Sequence, residues 1–215
     1  MKIVIKIGGS VAIGEYGPNP EYFSRLVSVL KEVQKKHQLI VSIGGGKFVR
    51  KYGHQIKDMK LSNDEIEWCF IDLVRANVHF LSALLKTKPL FSLEEISSKT
   101  SGVIGGIKPG RSTDANAALA AARIKADLII KLTDVDGVYE KDPKYFPDAK
   151  KLDKISLKNI MKYATDGKPG DYGIFDKLAL KTIKKHKIKT VIISGNEPSN
   201  ILKVLKGEKI GTVIE

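Results

Sequence analysis

The chain has 215 residues, 42% hydrophobic and 28% charged, the balance of a folded globular domain rather than a disordered or fibrous one. A single cysteine, Cys69, excludes an intrachain disulfide framework and fits a reducing cytosol; with only four scattered histidines beside it, no structural zinc pattern exists. The net charge of +13 fits either a nucleic-acid footprint or a lysine-rich surface around a site for anionic nucleotides.

In chain order, the first element is an apolar strand over 2–7, reached directly from Met1-Lys2, so no charged-then-apolar leader is expected. Helical spacing of Phe23, Val27, Leu30 and Val33 predicts a helix over 20–36, and a second strand covers 38–43. A helix over 47–59 follows, then a long one over 63–85 with Ser62 or Asn63 as its cap and Asp64, Glu65 and Glu67 in its first turns. Extended pieces at 89–92 and 102–104 precede an alanine-rich helix over 113–124 and a buried strand over 127–132. The remainder reads as a short helix at 157–163, a helix at 176–186, a strand at 190–194, a helix at 199–205 and a last strand at 212–214. Residues 97–102 and 166–173 have the glycine, proline and serine content of mobile loops. Helices alternating with strands predict an α/β fold, a three-layer αβα sandwich on a largely parallel sheet, in one domain spanning 1–215. Uninterrupted apolar stretches run only a few residues, short of the ~20 that span a bilayer. The lysines are spread along the chain, densest at 35–36, 150–151 and 184–187 without interleaved aromatics, which favours the solvated-surface reading of the charge.

Three strands end in polar, mostly glycine-containing turns: 3–7 into Gly8-Gly9-Ser10, 39–43 into Gly44-Gly45-Gly46-Lys47, and 127–132 into Thr133-Asp134-Val135-Asp136-Gly137. Ligands of open α/β sheets bind just past the carboxyl ends of strands. Glycines there let backbone N–H groups approach a phosphate, and a following helix adds its positive end. Neither Gly-x-x-x-x-Gly-Lys-Ser/Thr nor a Gly-x-Gly-x-x-Gly after the first strand occurs, which argues against Walker-type and dinucleotide sites. Lys6 interrupts an apolar strand and needs a partner or a purpose: it either aims its ammonium at a transferring phosphate or snorkels to solvent. Arg50, one helical turn beyond the triple glycine, either reaches back to the same anion or is a solvated helix residue. A third anion seat is Gly105–Asp114, where Lys108 and Arg111 flank a Pro-Gly turn and Ser112 or Thr113 can cap the next helix. Asp114 is an odd companion there unless it caps or orients a ligand.

Taken together, residues 6–10 (KIGGS), 43–52 (IGGGKFVRKY), 75–77 (RAN), 105–114 (GGIKPGRSTD) and 133–143 (TDVDGVYEKDP) resemble the amino acid kinase superfamily, and within it the archaeal type of UMP kinase. Residues 175–181 and the C-terminal stretch continue the resemblance over nearly the whole chain. It implies transfer of the ATP γ-phosphoryl group to UMP with Mg²⁺, in a cytoplasmic homohexamer of pyrimidine nucleotide synthesis. Residues 1–125 would form the acceptor-binding and oligomerising lobe and 126–215 the ATP lobe. By position, ATP would meet Lys6, Gly8, Gly9, Ser10, Gly46, Arg50, Thr133, Asp134, Tyr139 and Asp142, with Lys6 and Arg50 carrying transition-state charge. UMP would meet Gly45, Glu67, Ile107, Lys108, Pro109, Gly110, Arg111, Ser112 and Thr113; no residue is assigned to hold a metal. Glu67, Ile107, Arg111, Asp134 and Lys177 depart from the family pattern. Lys177 is either a second γ-phosphate contact or the first exposed residue of a helix. A sister kinase acting on isopentenyl phosphate or an acidic amino acid, and a non-catalytic basic nucleotide- or nucleic-acid-binding regulator, are the alternatives.

Overall fold

Four six-residue runs dense in Ile, Val and Leu build the middle of the sheet because both of their faces are covered, so they need no polar alternation. The computed structural model describes residues 1–143, 145–165 and 174–215. In chain order the main strands are β1 (Lys2–Ile7), β2 (Gln38–Ile43), β3 (Pro89–Leu90), β4 (Gly102–Ile104), β5 (Leu128–Thr133), β6 (Lys154–Ile155), β7 (Lys189–Ser194) and β8 (Thr212–Ile214). They lie in the order β6-β8-β7-β5-β1-β2-β4-β3. All neighbours are parallel except β7 and β8. The register sets Lys6 of β1 level with Lys131 of β5 on one side and Ser42 of β2 on the other.

The helices are α1 (Gly9–Ala12), α2 (Pro20–Lys36), α3 (Gly46–Ile56), α4 (Asn63–Leu85), α5 (Thr113–Ile124), α6 (Lys177–His186) and α7 (Asn200–Leu205). Ile3, Ile5 and Ile7 of β1 pack with side chains of α2, α4 and α7 on one face, while Val4 packs with α5 and α6 on the other. This is the expected three-layer sandwich. In α2, Asn19 caps the helix by accepting from Tyr22 N, Pro20 takes the first turn, and Phe23, Leu26, Leu30 and Val33 are buried. Ala117, Ala118, Ala120 and Ala121 of α5 are also buried, and such small side chains let that helix lie close against β1 and β2. In α4, Ser62 and Glu65 form a capping box, and Ile71, Val74, Val78, Leu81 and Leu85 turn inward. Its length and composition would also suit a bilayer. Here that inner face packs on the protein, as the core helix of a globular fold does.

The expected α2, β2, α4, β4, α5 and β8 match the observed bounds. The helix expected at 47–59 runs from Gly46 to Ile56 instead, because Gly46 (φ +61) already opens the first turn and no further apolar side chain holds the end after Ile56. The piece at 89–92 shortens to Pro89–Leu90, since Glu95 accepts from the Phe91 and Ser92 amides. The helix at 157–163 reduces to a 3₁₀ turn at Ile160–Tyr163. The strands and helices at 127–132, 176–186, 190–194 and 199–205 shift by one residue; Asp176 is the cap of α6 rather than its first residue. Three short pairings carry no apolar signal in sequence: Ile13–Gly14 with Gly17–Pro18, Val138–Tyr139 with Lys151–Leu152, and Ala164–Thr165 with Phe175–Asp176. The stretch 166–173, expected as a mobile loop, lies outside the described residues.

Candidate active site

The turns after β1 and β2 press directly on each other. A Cβ on Gly9 would stand 2.5 Å from Gly46 N and 2.8 Å from Gly46 Cα, so that contact requires glycine. Gly46 itself adopts φ +61, the left-handed region open to glycine at no steric cost. On the other side, Gly8 N donates to Leu132 O at the end of β5 (2.9 Å). Three neighbouring strands thus deliver their carboxyl ends to one cleft of about 290 Å³. It is lined by Lys6, Gly8, Gly9, Ser10, Gly44, Gly45, Gly46, Arg50, Thr113, Asp114, Lys131, Leu132 and Thr133. Both α3 and α5 start at this cleft, so their unpaired N–H groups and positive dipole ends face it.

The floor of the cleft is two lysines sharing one carboxylate. Lys6 is 3% exposed, and its ammonium donates to Ile7 O (3.0 Å) and stands 3.8 Å from Asp114 Oδ1. Lys131 Nζ lies 3.0 Å from the same oxygen, donates to Ile174 O, and sits 4.1 Å from the centre of the Phe175 ring. Burial pushes the Lys6 ammonium below its ordinary pKa, and the neighbouring Lys131 adds to this against the pull of Asp114. Burial pushes the Asp114 carboxyl up, but Lys131 and Lys6 outweigh it and hold the group below the usual carboxylate range. Two largely buried ammoniums against one carboxylate leave a positive excess on the floor, and the exposed Arg50 adds a further cation to the cleft lining. A phosphate is the natural complement.

Beside it, Glu67, Phe70, Ile71, Val74, Gly106, Lys108, Gly110, Arg111, Ser112 and Thr113 line a second cleft of about 390 Å³. Glu67 accepts from Gly110 N, tying α4 to the Pro-Gly turn. Ser112 caps α5 by accepting from Ala115 N (2.9 Å) and donates to Asp176, whose other oxygen caps α6 through the Leu178 and Ala179 amides (2.8 and 3.0 Å). Buried amides fix the walls: Asn77 donates to Gly44 O (3.1 Å) and Asn116 to Gly105 O (2.8 Å). Ser42 holds Thr113 O at 3.0 Å.

The structure brings Lys6, Gly8, Gly9, Ser10, Gly46, Arg50 and Thr133 into one cleft, and Glu67, Lys108, Gly110, Arg111, Ser112 and Thr113 into its neighbour. Thr113 borders both. Gly45, expected with the acceptor group, lines the first cleft because it precedes the left-handed Gly46. Ile107 is half-buried against the core under α5, and Pro109 is half-buried in the turn. Asp134, Tyr139 and Asp142 follow Thr133 on the chain leaving β5; Tyr139 donates to Asp136 (2.5 Å), which Lys151 also pairs. Lys177 is the exposed first residue of α6. Lys131, absent from the sequence-based set of site residues, carries the same signal as Lys6: a lone lysine inside an apolar run. Asp114, expected to cap a helix or orient a ligand, instead pairs with Lys6 and Lys131, and Asp176, within the stretch 175–181 that continues the family resemblance, is the cap of α6.

The chain matches the amino acid kinase family over residues 1–98 and 100–194. It is 38% identical to the uridylate kinase of Thermococcus kodakarensis over the full length of both chains, and 38% identical to that of Archaeoglobus fulgidus, again over both full lengths. The crystal structure of the Archaeoglobus fulgidus uridylate kinase superposes with a TM-score of 0.87, covering all of both chains. The UMP kinase of Bacillus anthracis, 20% identical with a TM-score of 0.79, shares the fold over the whole of this chain and 95% of its own. With its glycine exits, buried lysines and full-length likeness to these relatives, the chain belongs to the amino acid kinase family.

Proposed function

We propose that this chain transfers the γ-phosphoryl group of ATP to UMP, giving ADP and UDP, in pyrimidine nucleotide synthesis. The observation that carries the reading is the Lys6–Asp114–Lys131 floor of a glycine-walled cleft that shares Thr113 with a second cleft sized for an acceptor. Full-length likeness to archaeal uridylate kinases supports it.

In this reading a phosphate oxygen of UMP attacks the γ-phosphorus in line. One P–O bond forms while the bond to the ADP oxygen breaks, and no base is required because the attacking oxygen is already anionic. Lys6 and Arg50 neutralise the equatorial oxygens, and Lys131 adds a third cation from β5. Amides of Gly8, Gly9, Ser10 and Gly46 cradle the donor phosphates, while Thr133, Asp134, Tyr139 and Asp142 hold adenosine and its ribose. Gly45, Glu67, the turn from Ile107 to Gly110, Arg111, Ser112 and Thr113 hold UMP. Among the described residues the cleft lining contains one carboxylate, Asp114, already engaged by two ammoniums. With that carboxylate engaged, an Mg²⁺ would be held by the ATP phosphates rather than by protein side chains, and it would supply charge neutralisation there. The acceptor lobe (about 1–125), the ATP lobe (about 126–215), cytoplasmic residence and a hexameric assembly complete the reading. Trp68 and Phe80, each about two-fifths exposed on α4, support a subunit contact there.

The test is a coupled ADP-release assay with ATP and UMP, CMP, AMP, isopentenyl phosphate or acidic amino acids as acceptor. UMP is expected to give the highest kcat/KM by at least about tenfold, the worth of one well-placed contact. A higher value for isopentenyl phosphate or a carboxylate would replace UMP as the acceptor.

A further inference from the structure

Fifteen of the 32 lysines, scattered in sequence, collect at one end of the molecule, opposite the clefts. Six strands, β1 to β5 and β7, run in one direction and point their carboxyl ends at the clefts, so the helices that return to begin the next of them finish at the far end. There α2 ends in Lys35-Lys36 before β2, α4 in Lys86 before β3, α5 in Lys125 before β5, and α6 in Lys184-Lys185-His186-Lys187 before β7. The joining segments 1–2, 35–38, 86–89, 97–101, 123–128, 153–154, 184–189, 203–210 and 215 carry sixteen lysines and arginines. Against them stand five carboxylates, counting Glu94, which reaches Arg123. Sixteen less five is about +11 of the chain's +13.

Helix dipoles do not consume this charge. The C-termini of α2, α4, α5, α6 and the short α7, which ends at Leu205, supply about −0.5 each, roughly −2.5 in all, and much of that is screened by water. Backbone geometry points the same way. Among the described residues, the three non-glycine residues with left-handed φ are Lys86, Lys125 and Lys187 (φ 52, 55 and 50), each at a helix C-cap position where glycine fits without strain. Lysine there costs roughly 1 kcal/mol per position, about what its attraction to the helix end returns, so local stability gives no net reason to prefer it. Lys154 and Lys189 pair with Glu215, but among the described residues Lys35, Lys36, Lys184 and Lys185 make no ion pair and are exposed.

We infer that this end of the molecule is a docking surface for the phosphodiester backbone of a nucleic-acid duplex. The partner must be a polyanion, because single nucleotides already have their seat about 20 Å away, the length of a six-residue strand. A duplex fits better than a single strand, since the surface offers cations without aromatic side chains on which bases would stack. It also fits better than a membrane. Among the described residues, the exposed large apolar side chains other than Met1 (Tyr16, Met59, Leu61, Trp68, Phe80, Tyr145, Phe146 and Leu178) lie outside the segments that form this end, leaving little to insert into lipid.

Fluorescence anisotropy with labelled 20-base-pair DNA and RNA duplexes, a 20-nucleotide single strand and phosphatidylserine-containing vesicles tests this on the full chain. At least one duplex is expected to bind, with affinity falling about a hundredfold between 50 and 200 mM salt, as for about four phosphate contacts. Saturating ATP is expected to leave that binding unchanged. The variant Lys36→Gln/Lys184→Gln/Lys185→Gln is expected to lose at least tenfold in duplex affinity while keeping its phosphotransfer rate and thermal midpoint. The variant Lys57→Gln/Lys60→Gln/Lys150→Gln, altered outside this end, is expected to bind like the parent. Absence of duplex binding at 50 mM salt, equal losses in both variants, displacement by ATP, or tighter binding to vesicles or single strand than to either duplex would each overturn the assignment. Because acceptor phosphorylation is read separately, failure here leaves the kinase reading standing, and the reverse holds too.

Discussion

At the clefts, Lys6 and Lys131 stand side by side on adjacent strands, largely out of water, with Asp114 between them. At the opposite end, Lys35, Lys36, Lys184 and Lys185 stand in solvent with no carboxylate partner among the described residues. The same side chain therefore has two uses in one fold. An exposed ammonium is screened over about 8 Å at physiological salt, contributes little alone, and acts through numbers. A buried one acts singly, because few water dipoles compete with it, and the protein must hold a counter-charge ready while the ligand is away.

The largest expected effect tests the buried side of that contrast. Lys6→Ala removes one cation from the transferring group and is expected to lower kcat about 10²- to 10³-fold, the usual cost of losing one preorganised charge-stabilising donor. The KM for UMP should move less than about threefold, since the second cleft does not include Lys6. An unchanged kcat in steady-state assays would take Lys6 out of the mechanism and make its burial merely structural.

Asp114→Asn tests the counter-charge. With the carboxylate gone, two ammoniums face each other in a mostly dry site, and a loss on the order of 3 kcal/mol in urea unfolding is expected. The sign of the pH dependence follows from the lowered carboxyl. Its contribution is fully present above the unfolded value of about 3.9 and disappears as pH falls through the lower folded value. Parent and variant should therefore differ most near neutrality and converge in strong acid. A constant gap down to strong acid would mean that the ion pairs are not what Asp114 contributes.

These residues also mark what could be read from sequence. Lys6 and the two glycine exits were legible because each violates a local expectation: a charge in an apolar strand, or glycines where a strand stops. Lys131 violates the same expectation, yet its meaning depends on the register that sets it level with Lys6, which only pairing of β1 with β5 supplies. The main helices and central strands were legible from apolar period and caps. The two-residue strands at Ile13–Gly14, Val138–Tyr139 and Ala164–Thr165 were not, because they bury too few side chains to leave a period. The basic end was hidden for a related reason. Lysines far apart in sequence meet only because a parallel sheet returns every covering helix to the same edge.

Arg111→Ala probes a position between the two extremes, and the smallest effect is expected there. Arg111 is half-buried at the lip of the second cleft, past the Pro-Gly turn that Glu67 ties to α4. Water reaches it, so its charge is worth less than that of Lys6. Yet it lines the second cleft, so under the proposed function it would meet an acceptor phosphate singly, unlike the lysines of the far end. The expected result is a rise of about tenfold in the KM for UMP, the worth of one charge-assisted hydrogen bond at the low end of its range. The KM for ATP and kcat should change little, because Arg111 does not line the first cleft. A rise confined to the KM for ATP would exchange the donor and acceptor clefts. No change in either KM would make Arg111 another solvated cation, and the boundary between singly acting and collectively acting charges would then fall inside the acceptor cleft rather than at its lip.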